Sequence, residues 1–193
     1  LRRVAFDPPL PAPVAAAIAG LDLGPAAKVT IEYRRRVWEA DGGSGFTVSD
    51  RPFGIAWSPT DSYRSTGGLL TAFMTGSHAN RATAQSPAAR VAAVREQFAA
   101  VYPGAAAADA HRQATIAWPD EPYTGGGYPV YQPGQLRRFW PVIRSGTGRI
   151  RFAGEHTDSF YEWQGFMEGA CNSGLNAAKA LENGIRTGAI KAR

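Results

Sequence analysis

The chain has 193 residues, 44% hydrophobic and 19% charged, enough apolar side chain for a sizeable core and too little charge for a disordered segment. Its net charge of +5 is spread along the chain, with Arg34-Arg35-Arg36 as the one tight basic run, which excludes a nucleic-acid-binding stripe. One cysteine (Cys171), three scattered histidines (His78, His111 and His156) and no apolar run approaching about 18 residues exclude an internal disulfide, a Cys/His metal centre and a membrane-spanning helix.

The sequence starts at Leu1 with no apolar h-region behind Arg2-Arg3, so it reads as a piece of a longer precursor rather than a signal peptide. Residues 4–13 predict a short strand and a Pro-punctuated loop, and 14–21 a short helix closed by Gly24-Pro25. Val29-Thr30-Ile31-Glu32-Tyr33 alternates and is β-branched, which predicts a strand. Asp41-Gly42-Gly43-Ser44-Gly45 reads as a hairpin turn between Val37-Trp38 and Phe46-Thr47-Val48, with two further strands over 53–57 and 69–74. The clearest helix covers 87–101: Ser86 is a cap, Pro87 suits the first position, and Val91, Val94, Phe98 and Val101 recur at helical spacing. The alanines near 104–109 read as a loop, 114–118 as a strand, 135–142 as a short helix, 149–153 as a strand and 165–183 as the last helix. This mixture of sheet and helix makes the fold class α/β or α+β.

The most informative stretch is 149–183, a predicted strand running through Gly154-Glu155 towards a helix that opens Gly165-Phe166-Met167-Glu168-Gly169-Ala170. A helix N-terminus presents unpaired backbone N–H groups, which suit an anion such as a cofactor phosphate. The small residues Gly169, Ala170, Cys171, Ser173 and Gly174 let something approach closely. A ligand and a neighbouring strand both satisfy that pattern. A second stretch, Trp118-Pro119-Asp120-Glu121-Pro122-Tyr123-Thr124-Gly125-Gly126-Gly127-Tyr128, sets glycines between aromatics, so backbone can approach a flat ligand beside ring faces. Taken alone it reads as a flexible turn. No Ser/His/Asp or Cys/His arrangement stands out, and Asp120-Glu121 reads as solvated.

Together, Arg149-Ile150-Arg151-Phe152-Ala153-Gly154-Glu155 and Trp163-Gln164-Gly165-Phe166-Met167-Glu168-Gly169-Ala170 resemble the C-terminal FAD motif of the flavin-containing amine oxidases. That superfamily includes monoamine oxidases, polyamine oxidases and L-amino-acid oxidases. Val4-Ala5-Phe6-Asp7-Pro8-Pro9-Leu10-Pro11 is similar to the family's strand and Pro-rich loop leading into the substrate domain. Gly24 through Lys28-Val29 is similar to the strand start that follows, and Trp118 to Pro133-Gly134 to a flavin-facing turn. The resemblance implies the C-terminal portion of such an enzyme, most like a bacterial L-amino-acid oxidase. Its parts would be a substrate-domain segment over 1–117, a flavin-facing turn and connector over 118–148, the last strand and helix of a Rossmann-like FAD-binding domain over 149–184, and a tail over 185–193. The dinucleotide-binding glycine fingerprint, the active-site lysine and the arginine for a substrate carboxylate would lie upstream, outside this chain.

The resemblance further implies that Gly154, Glu155, Gly165, Phe166, Met167, Glu168, Gly169 and Ala170 contact FAD, with Glu155 and the helix start on its ribityl and pyrophosphate part. Trp118 would lie beside the isoalloxazine. Tyr128 and Phe166, with Gly165 and Trp57, would shape the substrate pocket. Gly127 stands where monoamine oxidases carry a flavin-linked cysteine, which implies non-covalent FAD. Gly154-Glu155-His156 is closer to the amino-acid oxidases than to the Gly-Thr-Glu of the monoamine pattern. The implied reaction is oxidative deamination of an L-amino acid by O2 to a keto acid, ammonia and hydrogen peroxide, with no catalytic residue and no metal assigned to this chain. A monoamine or polyamine oxidase, and a flavoprotein-derived binding subunit without turnover, are the alternative readings. The expected partners are the N-terminal chain or chains of the same precursor in a higher oligomer, with no nucleic acid and no membrane. A matured fragment of this kind points to secretion.

Overall fold

The computed structural model describes residues 1–40, 42–158 and 162–190. In chain order the elements are α1 (Ala12–Gly20), β1 (Asp22–Leu23), β2 (Ala26–Tyr33), β3 (Thr47–Val48), β4 (Ile55–Trp57), β5 (Gly68–Thr75), α2 (Gly76–Thr83), α3 (Pro87–Val101), α4 (Ala105–Ala108), β6 (Asp109–Ala117), β7 (Pro129–Val130), α5 (Gln135–Ser145) and α6 (Met167–Arg186). They gather into two units, Leu1–Leu23 with Tyr128–Arg193, and Gly24–Gly127. The expected segments 1–117, 118–148, 149–184 and 185–193 cut across these units, and residues 191–193 of the expected tail lie outside the described residues.

In the Gly24–Gly127 unit, β2 alternates as its sequence predicts: Ala27, Val29, Ile31 and Tyr33 are buried, while Lys28, Thr30 and Glu32 are half-buried. It pairs antiparallel with both β5 and β6, and the five-stranded sheet runs β3-β4-β5-β2-β6. Helices α2 and α3 cover the buried face, where Ala79, Ala82, Val91, Val94 and Phe98 join Val29, Ile31 and Leu70 in one core. The start of α3 follows from its residues. Ser86 Oγ accepts the Ala89 N–H at 3.2 Å, and Pro87 takes the first position, where an N–H would be idle. Phe98 is fully buried and edge-on to Phe53, with ring centroids 5.3 Å apart. Emptying that position by Phe98→Ala would cost about 3–5 kcal/mol.

In the other unit, α1 lies against α5 around Ala17, Phe139 and Ile143. A Cβ on Gly20 would stand 2.7 Å from the Phe139 ring, so glycine permits the approach. β1 pairs with β7, Asp22 opposite Val130 and Leu23 opposite Pro129. Along α6, Gly169, Ser173 and Gly184 are buried, whereas Met167, Leu175 and Ile185 are exposed.

Several expectations are corrected by the structure. Residues 4–6 form no strand; the Val4 N–H donates to Leu1 O in a turn, and no described strand pairs with them. The 37–48 hairpin is absent. Val37–Glu39 is instead a 3-10 turn that sinks Trp38 edge-on to Tyr33 at 6.0 Å, and β3 pairs with β4. Asp41 of the expected turn lies outside the described residues. The alanines do not make a loop: Ala105–Ala108 is a helical turn with Ala105 and Ala108 buried, in keeping with alanine's helix propensity. Residues 149–153 form no strand. Thr147 and Ile150 close a turn through reciprocal backbone bonds of 2.9 and 2.8 Å, and no described strand flanks 151–153. β6 runs earlier than expected and stops at Ala117, so Trp118 opens a 3-10 turn, Trp118–Asp120.

Candidate functional site

Helix α6 begins without a side-chain cap. Phe166 is its N-cap residue, in extended backbone (φ −115°, ψ 156°), and no described side chain caps the first turn. Met167 is 82% exposed and Glu168 is exposed as well. Among the described residues nothing accepts the Met167 or Glu168 N–H, which no helical turn can satisfy. Gly165, just before them, has φ +89°, and nothing lies within 4 Å of where its Cβ would be. The backbone angle, not crowding, requires glycine there. Gly169 differs: a Cβ would run into the Trp163 carbonyl oxygen, so its smallness lets α6 close onto the preceding turn.

Glu155 reaches this helix start. Its Oε2 accepts the Gly165 N–H at 2.6 Å. Burial pushes its carboxyl above the usual range, and the Gly165 bond opposes that shift. Ser173 holds the turn from the α6 side, accepting the Gly154 N–H at 2.9 Å and donating to Ala170 O at 2.8 Å. Gly154 has φ +144°, and a Cβ there would stand 2.5 Å from the His156 ring. Gln164 Nε2 donates to Tyr131 Oη at 3.2 Å and to His156 O at 3.3 Å. The result is an anion-receptive helix start with a carboxylate beside it and glycines at its approaches.

In the Gly24–Gly127 unit, Trp118 is half-buried at the head of its 3-10 turn. Gly127 fits tightly: its N–H donates to Gly24 O at 2.7 Å, and a Cβ would stand 2.7 Å from Ala26 Cβ. Lys28 lies on the sheet face turned away from the helix-covered core. Its Nζ sits 5.4 Å from the ring centroids of both Trp57 and Phe73, which meet edge-to-face at 6.0 Å. Glu32, the carboxylate next along this face, is engaged by Arg112. Ring faces rather than a carboxylate hold the Lys28 ammonium.

A family model described as "Flavin containing amine oxidoreductase" matches residues 1–181. The chain belongs to this family. The L-amino acid dehydrogenase of Synechocystis sp. is 29% identical over 181 residues, which are 93% of this chain and 38% of that protein. The L-amino-acid oxidase of Bungarus fasciatus is 26% identical over 183 residues, 93% of this chain and 35% of that protein. Among solved structures, cyclohexylamine oxidase from Brevibacterium oxydans matches with a TM-score of 0.81 and 27% identity, over 95% of this chain and 40% of that one. The chain thus spans less than half the length of the relatives it matches.

FAD is the cofactor of the flavin-containing amine oxidoreductases that the chain resembles. The residues present fit it. The uncapped α6 start suits a pyrophosphate, and the left-handed Gly165 keeps that approach clear of side chains. Of the positions that the resemblance assigns to FAD, Gly154, Glu155, Gly165, Phe166, Met167, Glu168, Gly169 and Ala170 lie around or on this helix start, whereas Trp118 belongs to the other unit. Of the substrate-pocket positions, Phe166 is 58% exposed and meets Trp163 edge-on at 6.2 Å. Tyr128 is exposed and has no ring contact among the described residues, and Trp57 sits beside Lys28 in the Gly24–Gly127 unit. Lys28 and Ser173 escape the sequence reading as site residues. The available signal was that Lys28 is one of three lysines in an arginine-rich sequence and stands inside a strand.

Proposed function

We propose that this chain is the C-terminal part of an FAD-dependent L-amino-acid oxidase. The Glu155–Gly165 bond beside the uncapped start of α6 is the observation that carries the flavin half of this reading. There the open N–H groups of Met167 and Glu168 would meet the anionic pyrophosphate, and Glu155 Oε1 would accept ribityl hydroxyls. Phe166 and Tyr128 would bound the path of the substrate, and Trp118 and Trp57 would offer ring faces. Gly127, with no room for a side chain, supports FAD held without a covalent link. Held there, FAD would supply the two-electron oxidation of the substrate's C–N bond, with O2 as final acceptor and hydrogen peroxide as the product of its reduction. The imine left behind hydrolyses to a keto acid and ammonia.

Lys28 is the candidate for the active-site lysine that the resemblance places upstream. Its Nζ, held over Trp57 and Phe73, would present a fixed positive charge and a hydrogen-bond donor to the substrate. An amino acid rather than a plain amine is supported by Gly154-Glu155-His156 and by the relatives named for L-amino acids. A monoamine or polyamine oxidase is the second reading, favoured by the match to cyclohexylamine oxidase. An N-terminal partner chain, a higher oligomer and a secreted setting belong to the same proposal.

The test is the absorbance of the full-length protein under anaerobic addition of a panel of L-amino acids and of simple amines. Loss of the visible flavin bands with an amino acid, and peroxide on admitting air, is the expected result. Bleaching by amines alone selects the second reading, and no bleaching by either sinks both.

A further inference from the structure

We infer that Arg90 is a positioning residue for the proposed site: one buried guanidinium fixes both the strand residue Lys28 and the turn that opens at Trp118. The inference rests on the roles just proposed for those two residues. Arg90 lies on α3 and is 4% exposed. Its Nε donates to Ala82 O at 2.8 Å and its Nη2 to Gln85 O at 3.3 Å, carbonyls at the end of α2 and just beyond it. A helix C-terminus is the favourable place for a cation. The plane of the guanidinium is thereby set.

From that plane two further contacts lead to the proposed site. Nη1 donates to Thr115 Oγ1 at 3.3 Å, and Thr115 Oγ1 donates to Lys28 O at 2.9 Å. A hydroxyl has a single proton. Once Thr115 gives its proton to the Lys28 carbonyl, its contact with Arg90 has to be an accepted one, so the guanidinium sets which way the hydroxyl points. In the other direction, Nη2 lies 4.0 Å from Asp120 Oδ2, at the last residue of the turn begun by Trp118. Lys28 and Trp118 are thus referred to one rigid group on a helix of the core.

Stability alone accounts poorly for this arrangement. Burying a cation is costly, and apolar replacements of buried ionic groups are often neutral or stabilising. Among the described residues, the carboxylate that approaches Arg90 is 61% exposed and 4.0 Å away, no close partner. A lysine would carry the same charge, but only the planar fork of arginine presents donors to Ala82, Gln85 and Thr115 at fixed angles.

The test uses the full-length flavoprotein with Arg90→Lys, Thr115→Val and Asp120→Asn. The readouts are amide exchange over residues 113–121, the rate of flavin reduction against KM, its pH profile, and the melting temperature. Arg90→Lys and Thr115→Val are expected to speed exchange over 113–121 by about tenfold with little change in melting temperature. Flavin reduction slows by about tenfold, its pH profile is displaced, and KM stays close to that of the parent. Asp120→Asn loosens 118–121 alone. Exchange equal to the parent's in both Arg90→Lys and Thr115→Val overturns the proposal, as does an activity loss that merely tracks melting temperature with the pH profile unmoved. Should Arg90→Lys fail to fold, Thr115→Val and Asp120→Asn decide by the same readouts. If the parent protein shows no flavin reduction by any amine, the functional reading fails separately, and the exchange data still decide whether Arg90 orders the two elements.

Discussion

Glu155 Oε2 accepts the Gly165 backbone N–H at 2.6 Å, tying the 154–157 turn to the start of α6. With Oε2 committed to the chain and no described residue bonded to Oε1, Oε1 would take a ligand hydroxyl. Glu155→Ala in the full-length protein therefore weakens FAD retention by about 1.5–3 kcal/mol, the range for charge-assisted bonds. Glu155→Gln keeps an acceptor and falls between. Flavin content after dialysis reads the effect, and full retention in the alanine variant would reduce Glu155 to a tie between turn and helix.

The neighbouring histidine gives a pH dependence. Burial lowers the His156 imidazole below its ordinary value of 6.5. The unfolded chain takes up the proton first, so the contribution of the neutral ring is complete above about pH 7 and is lost as pH falls through 6.5 towards the folded value. Glu155, whose carboxyl is raised, acts with the opposite sign, since protonation there favours the folded turn. Acidification from about pH 7 to 5 should lower the melting temperature less in His156→Gln than in the parent. Parallel curves for the two proteins would remove His156 from the response.

Gly127 bears on the flavin link. A side chain there would meet Ala26 Cβ at 2.7 Å, so Gly127→Cys should destabilise by about 1–3 kcal/mol through overpacking, without attaching flavin. Acid precipitation of the native protein should release all yellow colour to the supernatant. A yellow pellet would contradict the non-covalent assignment.

Where one residue type decides the local structure, the fold was legible. Ser86-Pro87 marks the start of α3, and the alternation of Val29, Ile31 and Tyr33 marks β2. Residues 37–48 misled because burial of Trp38 against Tyr33, a tertiary event, turns the chain away from a hairpin. Ile150 to Ala153 have strand-like composition, yet a strand exists only beside another strand, and local pairing of Thr147 with Ile150 wins. Around the site, Gly154-Glu155 and the α6 start were legible as glycine-flanked chemistry. Lys28 was not, since a lysine between Ala27 and Val29 reads as the wet side of an alternating strand. Its ring partners come from β4 and β5, which only the sheet register brings alongside.

Lys28→Met separates the chemical role of the ammonium from its packing. Losing the ring contacts costs about 0.5–1 kcal/mol, so the melting temperature should barely move. Flavin reduction by substrate should slow by about 100-fold, the scale of a lost electrostatic donor beside the reacting group, with FAD retention unchanged. Stopped-flow rates equal to the parent's would dismiss Lys28 from the chemistry.

Phe166 is exposed and braced by Trp163, and Tyr128 is exposed with no ring partner among the described residues, so truncating either leaves no core cavity there. Phe166→Ala and Tyr128→Ala should change kcat/KM unequally across acidic, basic and aromatic amino acids, while melting temperatures stay near the parent's. Uniform losses that parallel lower melting points would assign both rings to packing.

Within this chain, the Leu1–Leu23 segment shares its unit with residues from Tyr128 onward. On the ribosome, α1 and β1 emerge well before α5 and β7, and the whole of Gly24–Gly127 is made in between, a delay of roughly 5–20 s at bacterial to eukaryotic elongation speeds. The intervening unit is continuous and can close as it emerges, whereas Ala17 waits for Phe139 and Ile143, its partners from α5. That interval is a window for chaperone capture of α1. Slow codons placed within 24–127 would lengthen it, and slow codons placed after residue 145 would leave it untouched.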